Sequence, residues 1–293
     1  MGVVDVRDLL NQHGFRFSRS MGQNFLIDGN ITGKIVRLSG IDRACGVLEV
    51  GPGFGALTVE LCNVAGFVTA VELDERLLPI LSDTLSGLRN VEIIPGDILK
   101  LDIKKLVTEK MPDFKYHVCA NLPYNITSPA ISAFIKSSIF ASITVMVQRE
   151  VARRICAKPS SQDYSAFSVF ISYYTEPKSL FDVPPECFMP RPSVWSSVVT
   201  LTSRADRLYL DEPESERLYF SIVRAAFGQR RKTLVNALHS VFGDSMGKDE
   251  IVAMVEKCGF DTRVRGEMLG IEDFAKLTDY IQNGYKGLVK CDS

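Results

Sequence analysis

Two rhythms of apolar residues divide the chain. From Cys45 to about Thr202, short runs rich in Val, Ile and Phe recur at residues 46–50, 67–72, 91–95, 116–120, 143–148, 169–174 and 198–201. Helical spacing fills the gaps between them, for example over residues 57–63 and 75–85. Strands that alternate with helices predict an α/β domain on a mostly parallel, seven-stranded sheet. Pro184, Pro185, Pro190 and Pro192 crowd residues 181–192, which predicts a loop with little regular structure there. The final strand follows at once, and so short a connection predicts one antiparallel strand.

After a polar stretch at residues 203–215 the rhythm becomes helical throughout. Leu218, Phe220, Ile222, Val223 and Phe227 fit one helix, and Leu234, Val235 and Leu238 fit a second. Residues 251–257 and 271–280 supply two more. The expected organisation is an α/β domain over residues 1–205 and a small helical domain over residues 206–293, within the usual size range of domains.

Composition narrows the classes. Hydrophobic residues make up 46% and charged residues 24%, the balance of a soluble globular protein. No apolar run approaches the roughly 20 residues that span a bilayer, and Asp5, Arg7 and Asp8 interrupt the start where a signal peptide needs an apolar core. A cytosolic, membrane-free protein is expected. The seven cysteines form no Cys-x-x-Cys pair and the three histidines are scattered, so neither a disulfide framework nor a metal site is expected. The net charge of −1 excludes a uniformly basic coat. Positive charge gathers locally instead, at Arg149, Arg153, Arg154 and Lys158, at Arg224, Arg230, Arg231 and Lys232, and at Arg16 and Arg19. Such groups are candidate RNA contacts or plain solvated faces.

The candidate chemistry lies at strand ends. Gly51, Gly53 and Ala56 form a glycine turn between a strand and a helix, and Glu72 ends the next strand about 20 residues on, where an acid binds ribose hydroxyls. This turn fits a nicotinamide or flavin dinucleotide as well as a nucleoside methyl donor. Asp97 after the third strand can accept from an adenine amino group. Asn121-Leu122-Pro123-Tyr124 after the fourth offers an amide acceptor and an aromatic ring, which suits chemistry on the exocyclic nitrogen of a base. Ligands of open α/β sheets bind outside the carboxyl ends of the strands, and these groups follow one another there, one per strand.

Together with Gly22-Gln23-Asn24-Phe25-Leu26, residues 49–58, Phe188-Met189-Pro190-Arg191-Pro192-Ser193-Val194 and residues 227–234, these motifs make the chain similar to the ribosomal RNA adenine dimethyltransferases. It resembles most closely their bacterial small-subunit type, over nearly its whole length. The resemblance implies a Rossmann-like methyltransferase fold, S-adenosylmethionine as cofactor, and a donor site of Gln23, Asn24, Leu26, Gly51, Gly53, Glu72, Leu73, Asp97, Ile98 and Asn121. It implies dimethylation of N6 on two adjacent adenosines near the 3′ end of small-subunit ribosomal RNA, on a nearly mature subunit; a monomer is expected. Asn121, Leu122, Pro123 and Tyr124 are then the reaction centre, with Phe188 as a second aromatic wall. Two alternatives share the fold: a large-subunit enzyme of the antibiotic-resistance type, and an assembly or transcription factor without activity.

Overall fold

The computed structural model describes residues 13–15, 17, 24–206, 208 and 212–284. Nine strands occur among them: β1 (Phe25–Leu26), β2 (Cys45–Val50), β3 (Phe67–Glu72), β4 (Val91–Pro95), β5 (Lys115–Asn121), β6 (Ser142–Gln148), β7 (Thr175–Val183), β8 (Phe188–Met189) and β9 (Ser196–Ser203). Seven form one sheet in the order β4-β3-β2-β5-β6-β9-β7, and β1 pairs with β8. The pairs β4·β3, β3·β2, β2·β5 and β5·β6 are parallel, and β9 runs antiparallel to β6. Every residue of the inner strand β2 is buried, as expected where a parallel sheet is covered on both faces. Helices Gly29–Ser39, Ala56–Val64, Leu78–Leu85, Ile103–Lys110 and Thr127–Ser137 lie between the strands in sequence.

Two expectations from the sequence need correction. Residues 169–174 are not a strand; they belong to a helix, Ala166–Tyr174. Ser165 caps it, accepting from the Ser168 backbone N–H, while the Ser168 hydroxyl accepts from the Ser165 N–H. A short apolar run does not distinguish helix from strand by period, and here the cap decides. The seventh strand is instead β7, whose Pro177 is tolerated because β7 lies at the edge of the sheet. The stretch at 181–192 is also more regular than its prolines suggest. It contains the end of β7, a helical turn at Pro185–Cys187, and β8, which is in register with β1 through Phe25↔Met189 and Leu26↔Phe188.

The chain divides into two compact units, residues 1–152 with 177–203, and residues 153–176 with 204–293. The second therefore includes a segment that the sequence alone assigns to the first. Its core is aromatic. Tyr164, Tyr173, Tyr219 and Phe274 are buried among Leu218, Ile222, Leu234 and Ile251. The Tyr164 hydroxyl donates to the Leu269 carbonyl at 2.9 Å and that of Tyr219 to the Ile271 carbonyl at 3.1 Å, so neither phenol is buried without a partner.

Candidate active site

The glycine turn after β2 has the backbone that its sequence requires. Gly51 and Gly53 take φ of 68° and 60°, in the left-handed region where side chains are strained. A Cβ on Gly53 would also stand 2.7 Å from the Phe25 ring. The turn brings the Gly53 N–H to Glu72 Oε2 at 3.4 Å, while Glu72 Oε1 accepts from the Asp74 N–H at 2.8 Å. Burial, the largest influence on Glu72, pushes its pKa up; the N–H donors of Asp74 and Gly53 oppose this.

A cavity of ≈ 270 Å³ opens at the carboxyl ends of β2, β3, β4 and β5. Asn24, Gly51, Gly53, Glu72, Leu73, Asp97, Ile98 and Asn121 all border it, and so do Leu122, Pro123 and Tyr124. Ile98 is buried, whereas Leu73 is 58% exposed, an apolar side chain held open at the rim. Asp97 Oδ1 accepts from the Leu99 N–H at 3.0 Å and Oδ2 pairs with Lys100 at 3.4 Å. Two expected members are elsewhere. Leu26 and Phe188 are 7% and 3% exposed, packed in the core beside β2, and neither borders the cavity. A stacking wall needs an open ring face, so the Phe188 ring does not serve as one in this structure. Gln23 lies outside the described residues.

The four residues after β5 are held from several sides. Asn121 Nδ2 donates to the Asn24 carbonyl at 3.1 Å, so the amide turns its oxygen away from that contact. Pro123 O accepts from the Ile126 N–H and from Thr127 Oγ1, both at 3.2 Å. The Leu122 carbonyl meets no such donor among the described residues. Tyr124 is half-buried, with its hydroxyl 2.8 Å from Ser196 Oγ at the start of β9. Burial raises the pKa of this phenol and the Ser196 hydrogen bond partly offsets that. Neither Ser196 nor the use of the Asn24 backbone is evident from sequence, because both depend on contacts between distant segments.

Beneath the turn lies a further acid. Glu49 is 1% exposed and its Oε2 has no hydrogen-bond partner among the described residues. Burial first, and the nearby Glu72 charge second, push its pKa up to about 8. Thr58 lies close enough to oppose the shift, but its hydroxyl does not reach hydrogen-bond geometry.

The basic residues separate by environment. Arg149 begins the helix Arg149–Ile155, and its guanidinium lies over the Trp195 ring, 5.5 Å from the centroid. Arg153, Arg224, Arg231 and Lys232 are exposed and Arg154 is half-buried. Residues 230–232 lie in the turn between helices Pro213–Gly228 and Leu234–Phe242, a position where positive charge also suits the preceding helix end. Arg230 is tied down, donating to the Tyr164 carbonyl at 3.2 Å and pairing with Glu267 at 3.3 Å. Arg16 and Arg19 lie outside the described residues. Among these residues no group of acids, cysteines and histidines is placed to hold a metal, and no helix is long and apolar enough to cross a membrane.

A glycine turn, a ribose-type acid and a strand-end amide around one cavity place the chain in the class of Rossmann-like methyltransferases. Solved structures agree. A dimethyladenosine transferase from Plasmodium falciparum superposes with a TM-score of 0.77 at 24% identity, covering 88% of this chain and 98% of that one. The 23S rRNA methyltransferase ErmE superposes with a TM-score of 0.70 at 26% identity, over 88% of this chain and 100% of its own. The profile of the family described as ribosomal RNA adenine dimethylase matches residues 14–283, and the chain belongs to that family. Among its relatives, the ribosomal RNA small subunit methyltransferase A of Lachnoclostridium phytofermentans is 45% identical over 95% of this chain and 96% of that protein. The protein of the same name from Clostridioides difficile is 42% identical over 94% of each.

Proposed function

We propose that the chain transfers methyl groups from S-adenosylmethionine to N6 of two adjacent adenosines near the 3′ end of small-subunit ribosomal RNA, two to each. The observation that carries this reading is the hydrogen bond from Asn121 Nδ2 to the Asn24 carbonyl. It leaves Asn121 Oδ1 available as one acceptor at the cavity, whose lining also includes Leu122 and Pro123, either of which can supply a backbone carbonyl as the second.

The cavity residues fit the donor. A carboxylate has about four acceptor sites, and Glu72 uses two on backbone N–H groups, so ribose hydroxyls can take the others. Leu73 and Ile98 offer apolar surface to an adenine ring, and Asp97 can accept from its amino group. Bound S-adenosylmethionine supplies an activated methyl group. The acceptor is the harder part, because the N6 lone pair is delocalised into the ring. Asn121 Oδ1 and a backbone carbonyl of Leu122 or Pro123, each accepting from an N6 hydrogen, favour a pyramidal nitrogen whose lone pair is free as the bond forms. Such preorganised dipoles act mainly in the transition state. Tyr124 stacks on the extruded base, worth ~1–3 kcal/mol. Each transfer leaves the demethylated thioether of the donor and an alkylated, acidic N6 that loses one proton to water, so after the first a single N6 hydrogen remains, one acceptor suffices, and the same pair admits a second methyl group.

Arg149, Arg153, Arg154, Arg224, Arg230, Arg231 and Lys232 are assigned to the RNA, and residues 206–293 to binding the ribosomal subunit. Action on ribosomal subunits sets the protein in the cytosol. Identity of 42–45% to the small-subunit relatives cited above, against 26% to ErmE, favours the small subunit over the large. The intact strand-end residues argue against a factor without activity. The test is incubation with unmethylated small subunits and labelled donor, followed by mapping of the modified nucleotides. Dimethyladenosine at two adjacent positions is expected; label confined to large-subunit RNA, or none at all, sinks the reading.

A further inference from the structure

Trp195 is the only tryptophan in the chain, and it is 43% exposed. An indole left this open keeps a large aromatic surface available for contact. Trp195 and Arg149 flank the last register pair of β6 and β9, Gln148↔Ser196. The Arg149 N–H donates to the Trp195 carbonyl at 2.9 Å, which fixes the two backbones side by side. The guanidinium lies over one face of the ring, a cation–π contact on an indole that stays partly exposed. Val194, 41% exposed, extends the apolar surface. The next residue, Ser196, holds the Tyr124 hydroxyl. An exposed aromatic with an adjoining positive charge thus directly precedes, along the chain, the residue that holds the Tyr124 ring, and both lie outside the cavity lining itself.

We infer that Trp195 and Arg149 form a stacking platform for the base adjoining the adenosine in the pocket, with the Arg149 charge near the phosphate between them. The inference rests on the proposed function, since it needs a nucleic-acid substrate with an extruded base. Extruding one adenine leaves its neighbour without a stacking partner on that side. An aromatic face beside a guanidinium is what single-strand binding surfaces use to replace the lost stack. Two adjacent target adenosines make the platform more useful, because the second can wait there while the first reacts.

The sole tryptophan makes the test direct. A short single-stranded RNA with two adjacent adenosines is titrated into the full chain while Trp195 emission and RNA anisotropy are followed together. Emission should be quenched along the same binding curve. The same RNA with an abasic site next to the target should bind without the quenching. In parallel, Trp195→Ala should raise KM for unmethylated small subunits about tenfold with thermal unfolding unchanged, and Trp195→Phe, which keeps a π-face, should recover most of the loss. Binding that leaves emission unchanged, or equal quenching by the abasic RNA, or an unaltered KM in Trp195→Ala, overturns the platform while methyl transfer by the parent chain leaves the enzymatic reading standing. A parent chain that methylates no RNA sinks that reading, and this inference with it.

Discussion

The carboxyl edge of the sheet and the turn at Arg230–Lys232 present polar groups in opposite ways. At the sheet edge each candidate group is already held on one side. Asn121 is fixed by the Asn24 carbonyl, Glu72 by two backbone N–H groups, and Tyr124 by Ser196. In the turn, the side chains of Arg231 and Lys232 are exposed and meet no partner among the described residues; only Arg230 is tied down. Held dipoles lower a barrier because they need no reorganisation when charge develops. Free surface charges work through counterion release, which tolerates mobility. The first region should therefore respond to the loss of single atoms and little to salt, and the second the reverse.

The largest effect should come from Asn121. Asn121→Ala removes one of two acceptors and its tether to Asn24, and single-turnover transfer should fall at least about 10³-fold, near 4 kcal/mol. Transfer within tenfold of the parent would break the comparison, because the held amide would then be doing nothing. Glu49 follows. The native state holds its proton up to about pH 8, while the unfolded carboxyl, with its ordinary value of 4.5, has lost it. Stability therefore falls as pH rises between those values, and the loss is complete above the folded value. Glu49→Gln should flatten the slope and stabilise the fold by roughly 3 kcal/mol at pH 7, from about 1.4 kcal/mol per pH unit. Denaturant midpoints across pH 4 to 9 (a range of about five units) measure this. A parent and variant with parallel pH profiles would show that Glu49 is ionised in the fold.

How far the sequence reveals these regions follows from which forces place them. Gly51, Glu72, Asp97 and Asn121 are readable together because a parallel sheet sends every strand's carboxyl end to one edge. The helix Ala166–Tyr174 is not readable, since its apolar run lacks a period and its cap is two serines. Strand β7 is hidden by Pro177 and by the mixed polarity of an edge. The grouping of residues 153–176 with the helical unit rests on tertiary packing, such as Tyr164 and Tyr173 in its core. Phe188 is buried away from the cavity lining, because an aromatic in a family motif can support a neighbouring strand as readily as it can touch substrate. The Tyr124–Ser196 contact joins residues 72 apart, and no local pattern carries that.

The turn gives the next test. Arg231 and Lys232, replaced together by Gln, should lower the slope of log affinity against log salt by about 0.7 for each lost phosphate contact to single-stranded RNA. Arg230→Gln should behave differently, reducing the stability of the helical unit by about 1–2 kcal/mol with a smaller change in slope. Identical slopes for the parent and the double variant would mean that residues 231 and 232 only complement a helix end.

The smallest effect separates holding a ring from being one. Tyr124→Ala removes the stacking face and should cost ~1–3 kcal/mol in kcat/KM. Tyr124→Phe keeps the face and loses only the bond to Ser196, a net contribution of about 1 kcal/mol. Ser196→Ala loses the same bond from the other end. If the hydroxyl pair serves only to orient the ring, the double variant Tyr124→Phe with Ser196→Ala should be no worse than either single one. Additive losses would instead assign Ser196 a second role, independent of Tyr124. Because Ser196 is fully buried, its removal also leaves the phenol of the parent Tyr124 without a partner. Ser196→Ala should therefore be slightly more harmful than Tyr124→Phe, and the reverse order would show that the ring finds another hold.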